Sequence, residues 1–216
     1  MITGHLNNLK RVLCLGAHCD DIEIGCGGTV LRLLADSDRI EFYWLVLCSN
    51  PERASEARRS ANAFLKRART KTIVVKSFRD GFLPYIGASV KECFEELKTL
   101  FSPDLIFTHF RQDLHQDHRL VSELTWNTFR NQLILEYEIP KYDADLLQPN
   151  FFVPLPDATR RKKVERLIRY FGTQRNKHWF SEELFEGLMR LRGIESASPS
   201  RYAEAFHCRK LVLGSA

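Results

Sequence analysis

Residues 11–29 read RVLCLGAHCDDIEIGCGGT: an apolar run, one glycine, a knot of histidine and acid, then a glycine-rich opening into a helical pattern. Val12–Leu15 is apolar at every position, which suits a strand covered on both faces better than one alternating between core and water. Val30, Leu31 and Leu34 follow at helical spacing. The alternation continues outward. Strand-like runs fall at Phe42–Leu47, Thr72–Val75, Leu105–Phe107 and Leu133–Leu135, with helical periodicities over Ala54–Ala68 and Val90–Phe101. Strand, helix, strand at this rhythm means right-handed βαβ units on a parallel sheet. The expected class is α/β, a Rossmann-like three-layer sandwich with a mostly parallel sheet.

The second half is less regular. Pro140, Pro149, Pro154 and Pro156 punctuate a stretch containing Phe151, Phe152 and Val153, which reads as edge strands and loops. Two helices are expected after it, over Ala158–Phe171 and Ser181–Arg192. The latter has Ser181 as N-cap, acids in its first turn and Gly193 at its end. Together these make a C-terminal helical and edge-strand extension. No repeat or long linker interrupts the chain, so residues 1–216 read as a single domain.

Composition narrows the function classes. The 216 residues are 44% hydrophobic and 27% charged, and 15 Phe with 3 Trp present too much bulky apolar surface for a disordered chain. Apolar runs such as Phe42–Leu47 fall far short of the roughly 20 residues of a membrane span. The first residues, MITGHLNNLKRVLCLG, show no signal-peptide core. A cytoplasmic protein with no integral membrane segment is expected. The net charge of +5 comes mainly from Arg58–Lys71 and Arg160–Lys177, where apolar residues keep helical spacing. These segments read as solvated helix faces, with an anionic ligand as the alternative; a nucleic-acid patch would interleave exposed aromatics. The six cysteines include no CxxC pair, which removes zinc-ribbon, thioredoxin-like and zinc-deaminase templates.

In an open parallel sheet, ligands bind beyond the carboxyl ends of the strands. Gly16-Ala17-His18-Cys19-Asp20-Asp21 follows the first strand, and the run from His109 to His118 follows the fourth. Each end presents histidine and carboxylate together. Three protein ligands and an open position define a catalytic metal site, and His18, Asp21 and one histidine of His115-x-x-His118 would supply them. Asp20 could then take a proton from metal-bound water, while the other histidine meets a developing oxyanion or protonates a leaving group. Cys19 reads as structural, because its side chain should diverge from those of His18 and Asp21. His5, His109, His178 and His207 lack a partner pattern and read as core or surface. Gly25, Gly27 and Gly28 lack dinucleotide-binding spacing and read as close helix–strand packing. Tyr202, Glu204 and Glu136-Tyr137-Glu138 read as structural, with pocket lining as the alternative.

The motifs AHCDD-x-E-x-GCGGT and DxHxDH resemble those of the PIG-L/LmbE family of zinc-dependent N-deacetylases. The resemblance extends to Arg53-x-x-Glu56, Phe78–Leu83 and Tyr202–Phe206, in the family's order, and so spans nearly the whole chain. It implies an LmbE-like fold, with His18, Asp21 and His118 holding Zn2+; Fe2+ suits the same donors. It implies Asp20 as general base and His115 as the group that stabilises the tetrahedral intermediate or protonates the departing amine. Asp117 would orient His115, and its carboxylate would raise the imidazole pKa. Arg53 and Asp80 match positions that contact the sugar, and Asp113 would order its loop. The implied reaction is hydrolytic removal of an N-acetyl or similar small N-acyl group from an amino sugar or its glycoside or nucleotide conjugate. The expected partner is that small molecule and not a nucleic acid, and a homo-oligomer is allowed. Cys19 stands where the family usually has proline and Ile22 where it often has glutamate; neither is a ligand position. Two readings compete: a metal-dependent hydrolase of another bond, such as a sugar ester, and a non-catalytic sugar- or nucleotide-binding module. Such a module should have lost the base or a ligand, and His18, Asp20, Asp21 and His118 are all present.

Overall fold

A computed structural model describes residues 9–212. Its strands are Arg11–Gly16 (β1), Glu41–Cys48 (β2), Thr70–Phe78 (β3), Leu105–His109 (β4), Leu133–Tyr137 (β5), Phe151–Pro154 (β6) and Ala203–Cys208 (β7). Its α-helices are Asp21–Asp36 (α1), Pro51–Phe64 (α2), Gly87–Leu100 (α3), Gln116–Thr128 (α4), Asp157–Tyr170 (α5) and Glu182–Glu195 (α6). They build one mostly parallel sheet in the order β3-β2-β1-β4-β5-β7-β6. The first five strands of that order run parallel, and β7 is antiparallel to both β5 and β6. The α/β sandwich expected from the apolar runs is the observed architecture.

The uniform apolarity of β1 has a direct cause. Val12 and Cys14 face one core, shared with α1, α2, α5 and α6 through Val30, Leu34, Ala57, Phe64, Leu167 and Phe185. Leu13 and Leu15 face the other, shared with α3 and α4 through Val90, Phe94, Leu97 and Val121. A strand sandwiched between two helical layers has no wet face, so no position calls for a polar residue. Local signals set the helix starts. Asn50 accepts from Arg53 N at 2.9 Å with Pro51 just inside α2, and Ser181 accepts from Leu184 N at 3.2 Å at the start of α6.

Gly25 sits where α1 crosses β5. A Cβ there would lie 2.2 Å from the Tyr137 ring, so only glycine lets the helix approach this closely. One turn on, the buried Glu204 carboxylate of β7 takes the N–H groups of Gly28 and Thr29 at 2.7 and 2.6 Å. Lys163 of α5 donates to Glu204 and to Ile24 O, both at 2.6 Å. Glu204 therefore fastens the last strand to the first helix. Glu136 and Glu138 are likewise committed to structure, to Trp126 and Arg111 N and to Arg192 respectively.

One local expectation differs from the structure. Gly193 does not end α6, which continues to Glu195; a Cβ at Gly193 would meet Arg201 O at 2.1 Å, so packing and not capping explains the glycine. The Phe151–Val153 stretch, read as an edge strand, is β6 at the edge of the sheet, with β7 inserted between it and β5. His5 lies outside the described residues.

Candidate metal centre

β1 and β4 are sheet neighbours, yet β1 leads to β2 and β3 on one side while β4 leads to β5 on the other. The crevice beyond their carboxyl ends is thus the topological switch point, where an open α/β sheet has room for a ligand. Both histidine-bearing loops open into it.

The β1 loop runs straight into α1. Asp20 occupies the N-cap position, but its side chain makes no capping bond. It turns instead to Arg53 of α2, whose Nη2 meets Oδ1 at 2.9 Å, and leaves Oδ2 buried with no hydrogen-bond partner. The β4 loop ends in α4, where His115 is the N-cap and its Nδ1 accepts from Asp117 N at 3.2 Å. His118 therefore lies in the first turn of α4, facing the β1 loop.

His18 Nδ1 stands 3.1 Å from His118 Nε2 and 3.4 Å from Asp21 Oδ2, and His118 Nε2 stands 3.6 Å from the same oxygen. Donors held tetrahedrally at roughly 2.0–2.2 Å from one cation stand about 3.4 Å apart. The nitrogen–nitrogen–oxygen set therefore fits a divalent ion. The remaining nitrogens meet carboxylates: His118 Nδ1 with Asp113 Oδ2 at 2.9 Å, His18 Nε2 with Asp80 Oδ1 at 3.0 Å and Asp117 Oδ2 at 3.2 Å. Such partners keep the proton on the far nitrogen and the near one free as a donor. Five carboxylates, from Asp20, Asp21, Asp80, Asp113 and Asp117, face two cationic side chains, Arg53 and Lys141. The excess of negative charge favours a dication.

Burial and neighbours divide the acids. Burial pushes the Asp20 carboxyl up, against the pull of Arg53. Burial acts the same way on Asp21, but the imidazoles of His118, His109 and His18 outweigh it and hold that carboxyl well below its ordinary range. The expected partnership between Asp117 and His115 takes another form. The Asp117 carboxylate accepts from Gly81 N and Leu83 N and reaches His18, so it is the Asp117 backbone N–H that orients His115. The pKa of His115 is lowered and not raised, by burial first and then by His18. Arg53 and Asp80 do reach the crevice: Arg53 is held against Asp20, and Asp80, more than half exposed, bridges His18 and Arg53.

Three residues enter the cluster unannounced by any motif. His109, at the end of β4, is fully buried, stacks on His118 with ring centroids 3.9 Å apart and places Nε2 3.1 Å from Asp21 Oδ2. The only signal for it was a histidine closing an apolar strand at the ligand-binding edge. Cys48 closes β2 and stands within ligand range of His18 and Asp117, but burial pushes its thiol to about 12, which keeps it protonated. Lys141 meets Asp113 Oδ2 at 2.9 Å. Cys19 points away, its thiol donating to Cys48 O at 3.4 Å.

An open α/β sheet with a histidine–aspartate donor set at its switch point defines a class, the Rossmann-like proteins with a candidate single-metal centre. Within it, this chain belongs to the PIG-L family: the family profile, described as GlcNAc-PI de-N-acetylase, matches residues 13–129 and so takes in both donor loops. Several crystal structures share the fold. A conserved protein from Thermus thermophilus is 22% identical, with 96% of this chain and 97% of that one covered at a TM-score of 0.75. An N,N'-diacetylchitobiose deacetylase from Pyrococcus horikoshii is 19% identical, with 93% and 84% covered at 0.69. The 4-carboxy-2-hydroxymuconate hydratase of Pseudomonas putida is 14% identical, with 96% and 99% covered at 0.73. At these identities the fold is what is shared. Among the described residues, no helix is long and apolar enough to cross a membrane.

Proposed function

We propose that this chain is a single-domain, metal-dependent amidohydrolase that removes an N-acetyl or similar small N-acyl group from an amino sugar, free or carried as a glycoside or nucleotide conjugate. The observation that carries the reading is the buried, unpartnered Asp20 Oδ2 beside the His18, Asp21 and His118 donors. A carboxylate in that position, oriented by Arg53 and pushed up by burial, is built to accept a proton.

In this reading His18, Asp21 and His118 hold Zn2+ or Fe2+. A cation held there would supply Lewis acidity to an amide carbonyl and to the attacking water. Asp20 takes the proton from the attacking water and carries it to the amide nitrogen as the C–N bond breaks. His115 accepts from Asp117 N–H on Nδ1, so its neutral ring carries hydrogen on Nε2. That tautomer donates to a developing oxyanion, which favours this role over leaving-group protonation. Asp117 fixes the 79–83 loop and, with it, Asp80. Arg53 and Asp80 present charge at the mouth of the crevice, where sugar hydroxyls would bind.

The hydratase with the same fold supports keeping a second reaction class in view, since the scaffold alone does not choose the bond. The test is metal analysis of wild type and Asp20→Ala, paired with amine release from a panel of N-acetylglucosamine derivatives. One metal per chain in both, with amine released by wild type alone, is the expected result. Metal without amine from any sugar would move the substrate class elsewhere, and no metal would end the reading.

A further inference from the structure

We infer that Lys141 is a positioning residue for the metal centre: it fixes the Asp113 carboxylate and, through it, the ring of His118. The inference rests on His118 being a ligand, as proposed above. Lys141 lies in the loop after β5, a third strand end opening on the crevice, and only 10% of its side chain is exposed. Its ammonium meets Asp113 Oδ2 at 2.9 Å, the same oxygen that His118 Nδ1 meets at 2.9 Å. The other Asp113 oxygen accepts from His115 N at 2.8 Å. Lys141 also pairs with Asp145, whose Oδ2 accepts from Leu114 N at 2.7 Å.

A lysine withdrawn from water is costly unless paired, and this one is placed between two buried carboxylates. The arrangement grips the loop at Asp113, Leu114 and His115 in succession, so both histidines of His115-x-x-His118 take their positions from one cationic clamp. Without Lys141, Asp113 would keep its bonds to His118 and His115 N but lose the anchor that sets its plane. A histidine ligand whose outer partner can swing no longer aims its nitrogen at one point, and such losses typically weaken metal binding by about 10–100-fold.

The sign of the effect separates positioning from simple electrostatics. Lys141 is a positive charge near a cation site, so its removal by itself would tighten metal binding. Positioning predicts the reverse. The experiment measures zinc affinity of wild type, Lys141→Met and Asp145→Asn by competition with a chromogenic chelator. It also records the visible spectrum of each cobalt(II)-substituted protein and the melting temperature of each metal-free protein. We expect roughly tenfold weaker zinc binding in Lys141→Met, the low end for an outer-sphere change. A smaller loss in Asp145→Asn and an altered cobalt band in both should accompany it. Zinc binding as tight as wild type or tighter, an unchanged cobalt spectrum and a lowered melting temperature would make Lys141 a structural strap alone and overturn the inference. Asp145→Asn removes a negative charge, which by itself weakens cation binding, so the sign test stays with position 141 and Lys141→Gln carries it if Lys141→Met does not fold. A wild type that takes up no zinc would overturn the metal reading itself, a result distinct from normal uptake in wild type and variants alike.

Discussion

Asp117 Oδ2 accepts a hydrogen bond from Gly81 N at 2.7 Å, which ties the loop after β3 to the first turn of α4. Gly81 has φ +79°, a conformation that glycine adopts without strain, so the turn presents its N–H to the carboxylate at no steric cost. The other oxygen takes Leu83 N at 3.0 Å. Replacing Asp117 by alanine should leave two donors without a partner and destabilise the protein by about 1–3 kcal/mol for each that stays buried. Asp117→Asn keeps one good acceptor and should fall between. Urea unfolding of the three proteins checks this; equal midpoints would mean that the loop is held by other contacts.

His115 and His118 should separate cleanly. His118→Ala removes one of three clustered donors and is expected to release the metal. His115→Ala should retain the metal and lose about 10²–10³ in kcat, the usual effect of deleting one oxyanion donor. Metal content by atomic emission, measured beside turnover, decides the matter. A metal-free His115→Ala protein with a loaded His118→Ala protein would exchange the two roles.

Much of this site could be read before any coordinates, because its proposed ligands sit in two short motifs at strand ends, and strand ends are legible from apolar runs. Residues joined only in space were not legible. His109 is one histidine after an apolar strand, and Lys141 one lysine in a proline-punctuated loop; nothing local says that they meet Asp21 and Asp113. The same holds for β7. Its insertion between β5 and β6 is a long-range pairing that no neighbouring residue encodes. Asp117 has a related limit. The resemblance implies that it orients His115, and the structure does this through the Asp117 backbone N–H, leaving the carboxylate to the loop.

The contact between Gly25 and Tyr137 makes a sharp packing test. A Cβ at residue 25 would lie 2.2 to 2.9 Å from three Tyr137 atoms, and Tyr137 is itself fully buried with its hydroxyl bonded to Leu15 O. The ring cannot step aside, so Gly25→Ala must push α1 off the sheet and carry Asp20 and Asp21 with it. Overpacking of this kind costs about 1–3 kcal/mol or more. Loss of metal affinity together with a lowered melting temperature is the expected result. A Gly25→Ala protein with wild-type values for both would show that α1 adjusts locally.

Lys163 and Glu204 test the clamp on α1. Both side chains are about 3% exposed, and Glu204 also serves two backbone N–H groups. Removing one member of a buried pair strands the other, at about 3–5 kcal/mol. Lys163→Met should therefore be strongly destabilising. The double variant Lys163→Met with Glu204→Gln should recover part of the loss, because the amide oxygen still accepts one N–H and no charge remains. Chemical denaturation of wild type, Lys163→Met, Glu204→Gln and the double variant gives the coupling, and simple additivity would deny it.

His207 supplies a pH dependence of its own. Its ring stacks on Phe110 at a centroid distance of 3.7 Å, and burial, with Arg192 nearby, lowers its pKa from 6.5 to about 4. Between those values the unfolded chain binds a proton that the folded chain refuses. The folded state thus binds fewer protons, and stability must fall as the pH drops. The loss begins near pH 6.5, grows until about pH 4 and is constant below, where both states are protonated. Above pH 6.5 the residue contributes no slope. His207→Phe cannot take up the proton and should lose less stability than wild type between pH 7.5 and pH 5 in urea titrations. Comparing the two proteins cancels the contribution of every other titrating group, the donor cluster included. Identical losses in both would mean that His207 titrates in the folded protein as it does in water, so that its stacking on Phe110 does not exclude the charged form.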